Sequence, residues 1–415
     1  MKYFLLLTVS LFFGINISAQ KTFRTDIFSA NINTLQLIVN ENRLLPPVIN
    51  LRSGDYIEIS FDELSANQTR YTYSVIHCNA DWTKSSLTPV EYMTGFQDQL
   101  INDYASSYNT TVDYTHYKLY FPNDDTNFLV SGNYVVLVSE EGHEDRPVLS
   151  ACFSVVEQQV KTQMSVSANT EIDFNNSHQQ LSVTVTYSPN AFTAMPDFKI
   201  YALQNNRRDN MVLLSAPSGM QPGKLTFEHN RNLIFEAGNE YRRFESVSTQ
   251  SNGMNVQQIR YYSPLYHITL YPDEIRSRKS YLYDEDQNGR FFIRSSNASN
   301  YDIESDYTFV HFSIPCEHPF SEDIYILSEV YNNILDERSK ISYNDDTKSY
   351  EKAAFLKQGL YNYLYVSKNN NKIITELIEG NYFQTENEYM ILVYYRPPGG
   401  RYDKLIGMQN MKFVL

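Results

Sequence analysis

The chain has 415 residues, 42% of them hydrophobic and 14% aromatic, enough for roughly two to four packed domains. A formal net charge of −14 excludes the basic footprint that nucleic acid requires and disfavours adhesion to anionic lipid. Tyrosine dominates, with 34 copies against a single tryptophan, and its preference for pleated, half-wet surfaces points to an all-β protein.

Residues 1–19 read as a signal peptide. Lys2 supplies the positive start, 3–15 is an apolar run too short to span a bilayer, and Ile17-Ser18-Ala19 is a cleavage site. Nothing later approaches a transmembrane helix. Charges on both faces of the later strands argue against an outer-membrane barrel. An exported chain meets an oxidising compartment, which brings Cys78, Cys152 and Cys316 into question. Cys78 and Cys152 fall in one expected domain and could bridge its two sheets. The alternative is three buried thiols, since an odd count at wide spacing makes no disulfide framework.

Residues 20–158 read as an N-terminal immunoglobulin-like sandwich. Stretches 35–39, 56–61, 71–78, 114–121, 134–139 and 149–156 alternate apolar and polar residues, with turn residues between them. In 71–78, Tyr71, Tyr73, Val75 and His77 point one way and Thr72, Ser74, Ile76 and Cys78 the other. Trp82 follows as an aromatic plug at the strand exit. Gly132-Asn133-Tyr134 is similar to the start of a late sandwich strand whose tyrosine hydroxyl ties down the preceding loop. The long segment 85–111 is the candidate partner-contact loop, carrying Tyr92, Phe96, Tyr104 and Tyr108 beside Trp82. Its other reading is a flap folded over the end of the sandwich.

After a polar linker at 157–165, residues 159–283 read as a middle β domain with strands at 181–187, 198–203, 211–215, 224–228, 242–247 and 258–270. Arg242 and Arg243 sit beside aromatics, an arrangement that suits either an anionic ligand or a charged, solvated sheet edge. Asp284, Asp286 and Asn288 imitate the first half of a calcium loop. Position twelve is Ser295 rather than a bidentate Glu, so the segment reads as an Asn-Gly turn.

Residues 284–415 read as a C-terminal sandwich similar to early-set domains, a group that includes starch- and glycogen-binding modules. Tyr361, Tyr363 and Tyr365 share one face. As a sugar platform they would make the protein a periplasmic glycan binder; as a sheet surface or core they would not. Pro397-Pro398-Gly399-Gly400 must be a tight loop between two strands.

No motif for catalysis is present: no G-x-S-x-G, P-loop, H-E-x-x-H or G-x-G-x-x-G. Strand neighbours His77 and Cys78 face opposite ways and cannot act as a couple. A hydrolase would have to use His77 or Asp81. His311, His318 and Cys316 lack a fourth ligand, so no metal site and no cofactor are expected.

Two separated stretches are more distinctive than anything above. The first is Tyr73–Trp82 with Gly95, Phe96, Ser107, Asn109, Thr110, Tyr114, Tyr117 and Ser131-Gly132-Asn133-Tyr134. The second is Glu379-Gly380-Asn381, Thr385-Glu386-Asn387-Glu388-Tyr389 and Tyr402-Asp403-Lys404-Leu405-Ile406-Gly407. In these the sequence resembles the type IX secretion system plug protein family across nearly all the mature chain. The resemblance implies a periplasmic protein without catalysis, held at the outer membrane by the giant translocon barrel, whose pore mouth it closes when no cargo is in transit. It implies no small-molecule substrate and names no contact residues.

Overall fold

A computed structural model describes residues 21–65, 68–192, 197–214, 216–369 and 372–415. The expected signal peptide at 1–19 lies outside these residues. The fold is nearly all β, as expected.

The first module is a two-layer sandwich. One sheet runs Asp26–Ile27, Pro147–Val156, Gly132–Glu140, Tyr71–Cys78, Gln99–Leu100, with Val48–Asn50 parallel to Pro147–Val156. The other runs Ile32–Val39, Ile57–Glu63, Thr115–Phe121, Asp103–Ser106. The period-two pattern decides which side chains meet between them. Tyr71, Tyr73 and Val75 enter a core with Phe61, Tyr117, Phe121 and Phe153. Phe61 stacks on Tyr117 at 5.1 Å, and Tyr73 meets Phe121 edge-on at 5.3 Å. Fully burying each such ring contributes about 1.5–3 kcal/mol. Tyr134 does what its position suggested: its hydroxyl donates to the Val130 carbonyl at 2.7 Å and the Tyr92 carbonyl at 3.2 Å.

The even-numbered side of Tyr71–Cys78 is covered as well. Ile76 and Cys78 join Val135, Cys152 and Trp82 in a second cluster on the outer face. Cys78 and Cys152 therefore do not oppose each other across the sandwich. They lie in the same sheet on either side of Gly132–Glu140, and both thiols are free. Two strand spacings, about 9.6 Å, exceed the reach of a disulfide, and the expected bridge is corrected to two buried thiols. Burial raises the pKa of each.

The module boundaries also differ from the sequence reading. The strands Asn387–Tyr395 and Lys404–Phe413, expected in the C-terminal unit, pair with Phe198–Gln204. They complete a middle sandwich whose other sheet is Lys161–Ser167, His178–Thr186, Lys224–Phe227, Gly219–Gln221. The third module is an insertion into the second. It is a ten-stranded sheet, eight strands in one hydrogen-bonded path with Phe291–Ile293 and Lys372–Ile374 paired beside it onto Gly359–Asn369, curled so that Phe244 near one end meets Phe312 at 5.5 Å. The expected linker is instead the edge strand Lys161–Ser167, whose neighbouring backbone amides Glu157 and Gln159 donate to Leu405 and Ile406. The stretch 258–270 is a hairpin, Val256–Tyr262 with Leu265–Leu270.

Candidate functional site

The residues most distinctive in the sequence gather where the modules touch. Between the first and second, Asp403 is almost wholly buried and accepts from the Ala80 amide at 3.1 Å, Lys199 at 3.0 Å and Arg396 at 2.9 Å. Burial alone would raise its pKa, but those donors and the Lys199 charge hold the carboxyl below its ordinary value. Arg396 also reaches Asn79 Oδ1 at 2.8 Å. Asn133 donates to the Asn79 carbonyl at 2.9 Å and accepts from the Tyr394 hydroxyl at 2.8 Å. An apolar seam of Val48, Ala80, Val156, Leu203, Leu392 and Leu405 completes this contact. Gly132, at φ +144, has a structural reason to be glycine: a Cβ would stand 2.3 Å from His77 Nε2.

Between the second and third modules, the chain leaves at 236–241 and returns at 375–387. These crossings are stitched together. Asn387 donates to Ala237 O at 2.8 Å, Gln179 to Phe383 O at 2.8 Å, and Thr385 to Gly238 O at 2.9 Å. At the return, the fully buried Glu379 carboxylate is clasped by Arg242 at 3.0 Å and Arg276 at 2.7 Å, and it accepts the Tyr365 amide at 2.8 Å. Arg242 is thus neither a solvated edge nor a ligand site. Arg290 pairs with Glu388 at 2.7 Å across the same boundary.

Between the first and third modules, Asp62 and Lys357 meet at 2.7 Å with almost no solvent access. His116 and the Tyr307 hydroxyl take the remaining lone pairs of Asp62 at 2.6 and 2.7 Å. Asp306 caps the Thr111 amide and hydroxyl at 3.0 and 2.6 Å. Arg338 reaches Asp26 at 2.8 Å.

The candidate contact loop divides. Trp82 is buried under the Arg208 guanidinium, 3.4 Å from its ring centroid. Tyr92 is buried and donates to the Val75 carbonyl at 2.8 Å. These two belong to the packing and not to a free surface. Phe96 and Tyr108 are 80% and 70% exposed and Tyr104 is 44% exposed. The segment is no open loop: Gln99–Leu100 and Asp103–Ser106 pair onto the two sheets of the sandwich, and Met93–Thr94 pairs with Asn127–Phe128, as a flap would.

Chemistry finds little foothold. Burial lowers the His77 pKa to about 4, leaving it neutral between Ser85 Oγ at 2.9 Å and the Ser131 carbonyl. Asp81 only caps Thr83. The unfolded chain takes up a proton near pH 6.5 that folded His77 refuses. Stability should therefore fall by roughly 3 kcal/mol as pH drops from about 6.5 to 4. Urea denaturation of wild type and His77→Phe across that window checks this; equal slopes in both would refute it.

The calcium-like turn is dispersed. Asp284 pairs with Arg243, while Asp286 is buried and accepts the Tyr241 and Asn288 amides. Burial pushes its carboxyl up to about 8, with the Glu240 charge adding to the effect. Among the described residues no group of His, Cys, Asp and Glu is placed to hold a metal. Tyr361, Tyr363 and Tyr365 are buried in the third core. Tyr363 and Tyr365 spend their hydroxyls on Asp273, both at 2.8 Å. The proposed sugar platform is therefore interior. No helix among the described residues is long and apolar enough to cross a membrane.

What remains is an all-β protein of three mutually locked modules whose distinctive residues build joints. Residues 32–157 match the family described as the type 9 secretion system plug protein 1st domain. The first module thus carries the first domain of the type IX secretion system plug protein family, which associates the protein with that secretion system in the cell envelope. It is also similar to the crystal structure of a hypothetical protein from Parabacteroides merdae. The two share 47% identity and a TM-score of 0.91 over 95% of this chain and 100% of that one. No curated protein matches the chain. No catalytic family is indicated.

Proposed function

We propose that the protein is a non-catalytic periplasmic plug that binds the giant outer-membrane barrel of the type IX translocon and closes its periplasmic mouth when no cargo passes. The observation carrying this reading is the triangle of buried ionic and hydrogen-bonded joints, which makes three sandwiches one stiff body. A stopper must resist deformation, and a preorganised body loses little entropy on docking. Release requires only that an engaged channel bind the plug less well than an idle one.

Phe96 and Tyr108, exposed on the first module, are the residues we assign to barrel contact, since exposed aromatics anchor interfaces. The test is capture from detergent-solubilised outer membranes, followed by imaging of the complex. The barrel should co-purify with this chain at its pore mouth, and Phe96→Ala/Tyr108→Ala should weaken capture at least about tenfold. A complex with the chain elsewhere, or an outer membrane equally tight to large molecules without the protein, would sink the proposal.

A further inference from the structure

A cavity of about 540 Å³ opens where all three modules meet, within the size range of small-molecule sites. Leu37 and Arg43 come from the first module, Leu203 and Arg208 from the second, Phe291 and Ile334 from the third. Its charge is opposite to that of the whole chain. Arg24, Arg43, Arg207, Arg208, Arg290 and Lys368 line it against only Asp209 and Glu329.

Part of this positive charge is already neutralised. Arg24 pairs with Asp26, Arg207 with Asp209, and Arg290 with Glu388. Arg43 and Arg208 form no ion pair with any described carboxylate. Arg43 makes one hydrogen bond, to Gln36 Oε1 at 3.2 Å, and Arg208 lies on Trp82 while donating to the Phe23 carbonyl at 2.9 Å. Burial lowers the Arg43 pKa, and the charges of Asp302 and Glu58 offset this only in part. Both guanidiniums are half-buried and lack a direct ion pair, so each has given up part of its water without a carboxylate in contact, a cost that a bound oxyanion would offset.

The rest of the wall is largely aliphatic, with Leu45, Met211, Met390 and Leu392 beside the residues already named. Asn333 Oδ1 in the same wall is buried without a partner, leaving an acceptor for a ligand hydroxyl. A bare inorganic anion would leave the aliphatic wall unused. A cationic or purely apolar ligand would leave the arginines as they are.

We propose that this cavity binds an anionic amphiphile, with its oxyanion head among Arg43 and Arg208 and its apolar tail along the Leu and Met wall. The binding is a property of the isolated chain and stands apart from pore closure.

Trp82, the sole tryptophan, lines the cavity and reports on it. Laurate, titrated below its micelle concentration into the purified exported chain, should shift Trp82 emission saturably and raise the melting temperature. Inorganic phosphate should bind at least about tenfold more weakly, and dodecyltrimethylammonium should not saturate. Arg43→Gln should weaken laurate at least about tenfold. Should that variant fail to fold, Met211→Glu, which sets a like charge in the wall, should do the same. No saturable laurate binding would overturn the proposal. So would wild-type affinity in the folded variant, phosphate binding as tightly as laurate, or equal responses to the anionic and cationic detergents.

Discussion

Asp62→Ala should lower the free energy of unfolding by about 3–5 kcal/mol in urea denaturation, among the largest effects of any single substitution here. The substitution leaves the Lys357 ammonium, 1% exposed, without its counter-charge. It also removes the acceptor of the Tyr307 hydroxyl and of His116. The cost arises from the orphaned charge and not from the intrinsic worth of the pair. Asp62→Leu combined with Lys357→Met should accordingly recover much of the loss. Burial works against ionising Asp62, but the Lys357 charge and the His116 hydrogen bond outweigh it and hold the carboxyl below its ordinary value. Burial pulls the Lys357 pKa down as well, with Asp62 opposing. For the carboxyl, the stabilisation is complete above about pH 4, the unfolded value, and is lost as pH falls through the lower folded value. A single variant as stable as wild type would show that the first and third modules do not depend on this lock.

Glu379→Ala should cost about 3–5 kcal/mol by the same reasoning, with a different signature. Its removal takes away the ion-pair partner of Arg276, leaves Arg242 with Asp273 as its one carboxylate, and leaves the Tyr365 amide unsatisfied at the point where the chain returns to the middle module. Denaturation should be concerted in the wild type and split in the variant, with the third module melting before the others. Burial again opposes ionisation, and the two guanidiniums prevail, lowering the Glu379 pKa. Wild type should therefore weaken in acid below about pH 4, and the variant less so. A single, unshifted transition in the variant would contradict this role.

What the sequence could reveal was local. Alternation located most strands, and it assigned opposite faces to His77 and Cys78, as the two clusters around Tyr71–Cys78 bear out. The reading of Tyr134 as a loop anchor needed only a recognised strand start. What stayed hidden was pairing over distance. Nothing near Phe198 signals that its partner is Tyr395, and nothing near Arg242 signals Glu379. Alternation also says which residues share a face but not whether that face is covered. The row Tyr361, Tyr363, Tyr365 became core because Gly359–Asn369 is packed on both sides. Trp82 and Tyr92 were expected at a partner surface and are interior because the second module and the flap close over them. The distinctive stretches were visible as such. Their meaning, that they are joints, depends on which modules they join.

The interruption of the middle sandwich by the third module has a consequence for biogenesis. The chain is made amino end first, so its first sandwich can form early. The second must wait with one sheet half built until Asn387–Tyr395 and Lys404–Phe413 arrive to flank Phe198–Gln204. Until then that strand exposes an unsatisfied edge, the kind of surface on which chaperones and proteases act. A late frameshift or a clipped carboxyl end would thus spoil a region that begins more than two hundred positions upstream, and quality control could judge the whole molecule by its last few dozen residues.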